Sequence, residues 1–161
     1  MHGAADVRFV HGMIAHHAQA ILMTDMVATR AEHEQIRLLA RRIDVSQKDE
    51  IRMMRRWLER RGEPVPDSTA HAQHAVAPGM LTSEQLRTLS ATTGVAFDRL
   101  FLEQMIRHHE GALTMVAELF ASGGGQEPEL FQVASHIDAD QRAEIARMRR
   151  LLESIEERGA R

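Results

Sequence analysis

Apolar residues recur every three to four positions along four long stretches of this chain, with polar residues filling the faces between them. In the first stretch Phe9, Met13, His16, His17, Ala20, Met23, Thr24 and Val27 share one face at ~100° per residue, a stripe roughly 120° wide. Residues 5–30 therefore read as one amphipathic helix. Residues 33–61 read as a second, stopped by Gly62, Pro64 and Pro66. The stretch 62–80, rich in Pro, Ala and His, reads as a linker, after which Thr82-Ser83-Glu84-Gln85 has the form of a capping box opening a short helix over 83–91. A third long helix is predicted over 95–121, ending in Ser122-Gly123-Gly124-Gly125. Pro128 suits the first turn of a fourth, over 128–157. Nothing alternates with period two, so no strand is predicted.

The long helices repeat in pairs. Asp6, Phe9, Met13, Ile14, His16, His17, Ala20 and Met23 return as Asp98, Phe101, Met105, Ile106, His108, His109, Ala112 and Met115, eight identities in 25 positions at an offset of 92. Between 36–58 and 130–152, ten of 23 positions match at an offset of 94, among them Ile43-Asp44, Gln47, Glu50-Ile51 and Met54-Arg55-Arg56. The two-residue slip falls in the glycine-bearing loop, so the repeated unit is a helical hairpin. One hairpin cannot bury its apolar stripe alone, and two docked together make a four-helix bundle. The expected architecture is all-α, a single domain over 1–161. It comprises repeat one at 5–61, a linker with a short helix at 62–93 and repeat two at 94–158, and residues 6–58 should superpose on 98–152.

Composition narrows the chemistry. The absence of cysteine excludes disulfides, thiolate zinc sites, iron–sulfur clusters and thiol catalysis. Ten Met and ten His remain as soft or borderline ligands. Thioethers do not cross-link under oxidising conditions, so such a set suits an extracytoplasmic protein. Met1-His2-Gly3 leads almost directly into the first helical pattern, with no signal peptide visible. Both a cytosolic start and removal of a natural signal are compatible with that. Apolar runs are too short for a membrane span. The net charge is −3, split into +1 for residues 1–80 and −4 for 81–161, which gives no basic face for nucleic acid. Arg55, Arg56, Arg60 and Arg61 sit at a predicted helix C-terminus, where cations suit the macrodipole.

The unusual feature is where the histidines fall. His16 and His17 lie inside the apolar stripe, with Met13 one turn away from both. His108, His109 and Met105 do the same in the third helix, and the small Ala20 and Ala112 leave room beside the rings. Met13, His16, His17, Met23, Met105, His108, His109 and Met115 are the candidate metal ligands. Met54 and Met148 are helpers that read equally as core filler. Gln47, Glu50, Gln141 and Glu144 fall on the apolar stripes of the partner helices and need buried partners, for which the imidazoles are the natural choice. Imidazole ligates only when neutral, so with an ordinary pKa of about 6.5 affinity should weaken below that pH. His2, His11, His33 and His136 lack repeat counterparts and read as surface residues. His71, His74 and Met80 in the linker read as loop residues or an accessory metal tract.

The two copies, Phe9 to Met23 with Gln47 to Met54 and Phe101 to Met115 with Gln141 to Met148, closely resemble the family catalogued as domain of unknown function 305. The resemblance covers essentially the whole chain outside the linker. It implies a ferritin-like helical bundle, copper binding and tolerance outside the cytoplasm as found for some members, and secretion or lipid anchoring.

From the residues, the leading reading is non-catalytic binding of a soft metal, Cu(I) with Ag(I) as its mimic, because thioether and imidazole together select Cu(I) over oxygen-seeking cations. A carboxylate-bridged di-metal enzyme would need Glu-x-x-His pairs on two helices, and no Glu in the chain has His three residues later. A zincin is excluded because His109-Glu110 is followed by Leu113 where a second His would stand. The remaining alternative is a structural or interaction bundle whose core histidines only hydrogen-bond to Gln and Glu.

Overall fold

The computed structural model describes residues 1–67 and 77–161. Among them the elements are α1 (Ala4–Asp25), α2 (Val27–Arg30), α3 (Glu34–Arg60), α4 (Ser83–Ala91), α5 (Gly94–Ala121) and α6 (Pro128–Gly159). No strand is present among the described residues, and the one extended pairing is an isolated bridge between Ala31 and Gly94. α1 packs on α3 and α5 on α6, forming two hairpins, while α1 meets α5 and α3 meets α6 across the molecule. The result is the all-α four-helix bundle that the periodicity predicts, with the short extra helix α4 following the linker. No helix is long and apolar enough to cross a membrane.

The local signals act as read. Thr82 Oγ1 accepts from the Gln85 N–H at 3.1 Å while Gln85 Oε1 accepts from the Thr82 N–H at 2.8 Å, a closed capping box. Pro128 is the first residue of α6, and the Glu127 carboxylate caps that helix by accepting from the Leu130 N–H at 3.2 Å. The first helix differs from its predicted span, because α1 ends at Asp25 and α2 restarts at Val27. Thr24 donates its hydroxyl back to the Ile21 carbonyl at 3.0 Å, and the Met26 N–H closes a tight turn onto the Met23 carbonyl at 3.2 Å. Those bonds compete with the regular ladder, so apolar periodicity continues through a stretch whose backbone does not.

The apolar core is divided in two. One end gathers Ala20, Met23, Ile36, Leu39, Ile43, Phe97, Phe101, Met105, Ile145 and Met148. The other gathers Phe9, Met13, Met54, Trp57, Leu58, Ala112, Val116, Leu130 and Ile137. Each long helix runs from one end to the other, and each crosses the gap with polar residues. These are His16 and His17 on α1, Gln47 and Glu50 on α3, His108 and His109 on α5, and Gln141 and Glu144 on α6, all buried. The bundle therefore carries a transverse polar layer between two apolar caps. Trp57 marks one cap: its indole N–H donates to Glu127 Oε2 at 2.8 Å and the Arg61 guanidinium lies 4.4 Å above its ring. Arg61 also pairs with Glu127 at 2.6 Å and Glu129 at 3.0 Å, so the arginine cluster ending α3 ties it to the start of α6.

Candidate metal centre

The layer is built from two matching pairs and one central contact. His17 Nε2 hydrogen-bonds Glu50 Oε2, and His109 Nε2 hydrogen-bonds Glu144 Oε2, with all four side chains buried. Of the four polar residues expected to seek the imidazoles, the two carboxylates do so, while Gln47 Oε1 and Gln141 Nε2 stay buried without a hydrogen-bond partner. Between the hairpins the rings of His16 and His108 face each other, centroids 3.8 Å apart and planes tilted by 34°. Within each pair the rings are further apart, 6.5 Å for His16 and His17 and 6.4 Å for His108 and His109.

The linker closes over this centre. His16 Nε2 bonds the Pro78 carbonyl at 2.9 Å, so that nitrogen is the donor. Gln19, one turn along α1, clasps Leu81 by both backbone groups, donating to its carbonyl at 3.0 Å and accepting from its N–H at 2.8 Å. On the facing helix the corresponding position is Gly111. A Cβ there would lie 1.9 Å from the Pro78 oxygen, so the strap rests directly on helix backbone. Gly79 turns the strap with φ +76°, and a Cβ on it would meet the Arg107 carbonyl at 2.4 Å.

Burial keeps these imidazoles neutral. It lowers His16 and His17 to about 3, with the neighbouring His17 adding to the effect on His16 and His109 adding to it on His17. Burial also holds His108 well below the ordinary value, reinforced by His16. The loss of ligating capacity expected near pH 6.5 is thereby displaced far to the acid side, because protonation would place a charge on a buried ring. The two carboxylates behave in opposite ways. For Glu144 burial favours the neutral acid, but the His109 ring and the Ser46 hydroxyl, which donates to Glu144 Oε1 at 2.7 Å, outweigh it and hold the group below its usual range. Glu50 is pushed up to about 9 by burial and by the neighbouring carboxylate of Asp140.

Several ring nitrogens are left over. His17 Nδ1, His109 Nδ1 and His108 Nε2 are buried and have no hydrogen-bond partner. Buried polar atoms in folded proteins are almost always satisfied, so three bare nitrogens in one layer are a chemical signal. For His109, the ionised Glu144 carboxylate on Nε2 fixes the proton there and leaves the Nδ1 lone pair free to ligate. The thioethers border the layer from both sides. Met23, Met105 and Met148 lie in one apolar cap, and Met13 and Met54 in the other, all fully buried. Met115 is half-buried and lines a surface groove with Arg8, Phe9 and Pro78. The four histidines thus come together, while the methionines are shared between the two caps and do not form one cluster. His71 and His74 lie outside the described residues, and Met80 is half-buried in the strap.

Three of the histidines without repeat counterparts, read as surface residues, are partly exposed and make hydrogen bonds. His33 Nδ1 bonds Asp98 at 2.6 Å, His11 Nε2 bonds the Pro64 carbonyl at 2.7 Å, and His2 bonds Glu63 at 2.9 Å beside Trp57. His136 is half-exposed but stands beside Glu50, with Asp140 one turn further along α6. That trio was not legible in the composition.

The sequence pattern of the family described as Domain of unknown function (DUF305) matches residues 6–152. The chain belongs to this family. A DUF305 fragment from Deinococcus radiodurans has the same fold with a TM-score of 0.83 at 33% identity, over 95% of this chain and 98% of that one. A presumed secreted DUF305 protein of Streptomyces coelicolor follows at TM-score 0.81 and 27% identity, over 94% and 93%. The protein CopM, solved in its Cu(I)-bound form, matches this DUF305 chain with a TM-score of 0.73 and 31% identity over 92% and 96% of the two chains. CopM has also been solved bound to Ag and to Cu(II). No curated protein sequence matches this chain.

Proposed function

We propose that this DUF305 protein binds a soft metal ion, Cu(I) with Ag(I) as its mimic, without catalysing a reaction, and serves copper handling or tolerance outside the cytoplasm. The observation that carries the reading is the trio of buried, unpartnered ring nitrogens on His17, His108 and His109. A neutral imidazole offers such a lone pair to a metal, and the thioethers above and below the layer bias the choice toward Cu(I). His16, His17, His108 and His109 would hold the ion together with Met13, Met23, Met105 and Met115, and Met54 and Met148 would serve as helpers. Residues 1–161 act as one domain in which both hairpins contribute to the same layer. The similarity to CopM supports the choice of metal, and the secreted relative supports the location.

The test is a Cu(I) titration under reducing conditions against a chromophoric chelator, with far-UV circular dichroism on each variant. The parent binds tightly. Replacing His16, His17, His108 and His109 with Ala abolishes binding while helicity persists, and Met13→Leu with Met105→Leu, which conserve volume, weaken it. Unchanged affinity in the histidine variant removes the assignment. A parent that binds no Cu(I) leaves a structural bundle in which His17 and His109 serve only as hydrogen-bond partners of Glu50 and Glu144.

A further inference from the structure

The two halves of the polar layer differ around their carboxylates. Glu144 has both oxygens satisfied, Oε2 by the His109 ring and Oε1 by the Ser46 hydroxyl. Glu50 has only Oε2 satisfied, by His17; its Oε1 is fully buried and has no partner. At the repeat offset of 94, the residue standing where Ser46 stands is Asp140. A donor in one half is thus replaced by a second acceptor in the other. Next to it, where the first repeat has Arg42, the second has His136, whose Nε2 lies 3.7 Å from Glu50 Oε1 and 3.9 Å from Asp140 Oδ2. One ligand atom from each of Glu50, His136 and Asp140 falls within 4.8 Å of the others.

We propose that Glu50, His136 and Asp140 form a separate site for a borderline divalent cation, with Zn(II) as the matching redox-inert ion. A nitrogen and two carboxylate oxygens are a donor set for Zn(II), not for Cu(I), because no thioether or thiolate takes part. The charges also balance. A 2+ ion between two carboxylates and a neutral imidazole is charge-balanced and lets Glu50 ionise in the interior. His136 and Asp140 are one turn apart on α6, so both reach the same point from one face, and Glu50 meets them from α3 across the hairpin boundary. Their side chains are 52% and 37% exposed against 0% for Glu50. The site is therefore a pocket with a buried floor and an open mouth, where a solvent molecule completes the coordination and the ion exchanges freely. Glu50 then links the two sites, since its other oxygen holds His17.

The experiment is isothermal titration of the full chain with Zn(II), with Co(II) absorption as a report of ligand type. Asp140→Ser copies the Ser46 arrangement and supplies Glu50 with a hydroxyl, so the fold is kept while the cation site is removed. His136→Ala alters a half-exposed side chain and serves as a second variant. The parent binds Zn(II) at this site, and each variant loses at least the roughly tenfold that even a group hydrogen-bonded to a ligand costs. Cu(I) affinity is unchanged in Asp140→Ser, which separates this site from the soft one. Parental Zn(II) affinity in both variants, or no Zn(II) binding in the parent, overturns the proposal.

Discussion

Asp98, near the start of α5, holds His33 at the entrance to α3 in the other hairpin. Its carboxylate accepts from the His33 N–H at 2.9 Å and from the Glu32 N–H at 3.1 Å, and it pairs with the His33 ring at 2.6 Å. Asp6, the corresponding residue of α1, accepts from the Gly125 N–H at 2.7 Å in the loop joining α5 to α6. Each central helix thus fixes the connecting loop of the opposite hairpin with one buried aspartate.

Asp98→Ala strands two part-buried backbone N–H groups, and an orphaned buried donor costs about 1–3 kcal/mol, the upper bound for each of these. Chemical denaturation should show both Asp98→Ala, which loses two part-buried cross-hairpin bonds, and Asp6→Ala, which loses one buried one, less stable by about that amount. Equal, negligible losses would show that the loops hold their shape unaided.

Stability of the metal-free protein should peak near neutrality. His16 and His17 fall from 6.5 to about 3 on folding, and His108 moves in the same direction. Below pH 6.5 the unfolded chain binds protons that the folded one refuses, so stability drops as pH falls, with each histidine adding to the slope. Glu50 works the other way. Its carboxyl rises from 4.5 to about 9 on folding, so the folded state holds a proton that the unfolded chain releases, and stability declines as pH rises through that window. Three histidines outweigh one carboxyl on the acid side, placing the maximum near pH 6.5. Urea midpoints measured in the presence of a chelator from pH 4.5 to 9 check this, and a flat acid limb would mean that the layer is hydrated.

Gly111→Ala should lift the linker strap. The added methyl would sit 1.9 Å from the Pro78 oxygen and 2.8 Å from the Gly79 nitrogen, backbone atoms that cannot rotate away. Overpacking of this kind costs about 1–3 kcal/mol. The His16–Pro78 and Gln19–Leu81 bonds should open with it, seen as faster amide exchange at Leu81, whereas unchanged protection would place the strap's hold elsewhere.

The bundle was legible because each helix carries its own local signals: stripe, cap and stop. That Gln47 or Glu50, and Gln141 or Glu144, would bond a histidine of the pair was legible from polar residues on facing apolar stripes; that the carboxylates do so, on His17 and His109, was not. The break at Met26 was not, because it depends on a Thr24 hydroxyl choosing the Ile21 carbonyl, and apolar spacing is blind to that. The anchoring of His33 by Asp98 spans 65 residues and joins opposite hairpins, so no single stripe contains it. The Glu50, His136 and Asp140 trio left one trace, the replacement of Ser46 by Asp140 between otherwise matching repeats. Counting identities passes over such a difference, and only the buried floor supplied by Glu50 gives it meaning.

Trp57 is the chain's single tryptophan, and there is no tyrosine. Its seat beside Glu127 and Arg61 makes intrinsic fluorescence a one-sided observer. Emission follows the seam between the end of α3 and the start of α6, and it is silent about the cap holding Met23, Met105 and Met148. If the polar layer divides the bundle into two cooperative units, a molecule melted only at that far cap would still emit as native while its circular dichroism had already fallen.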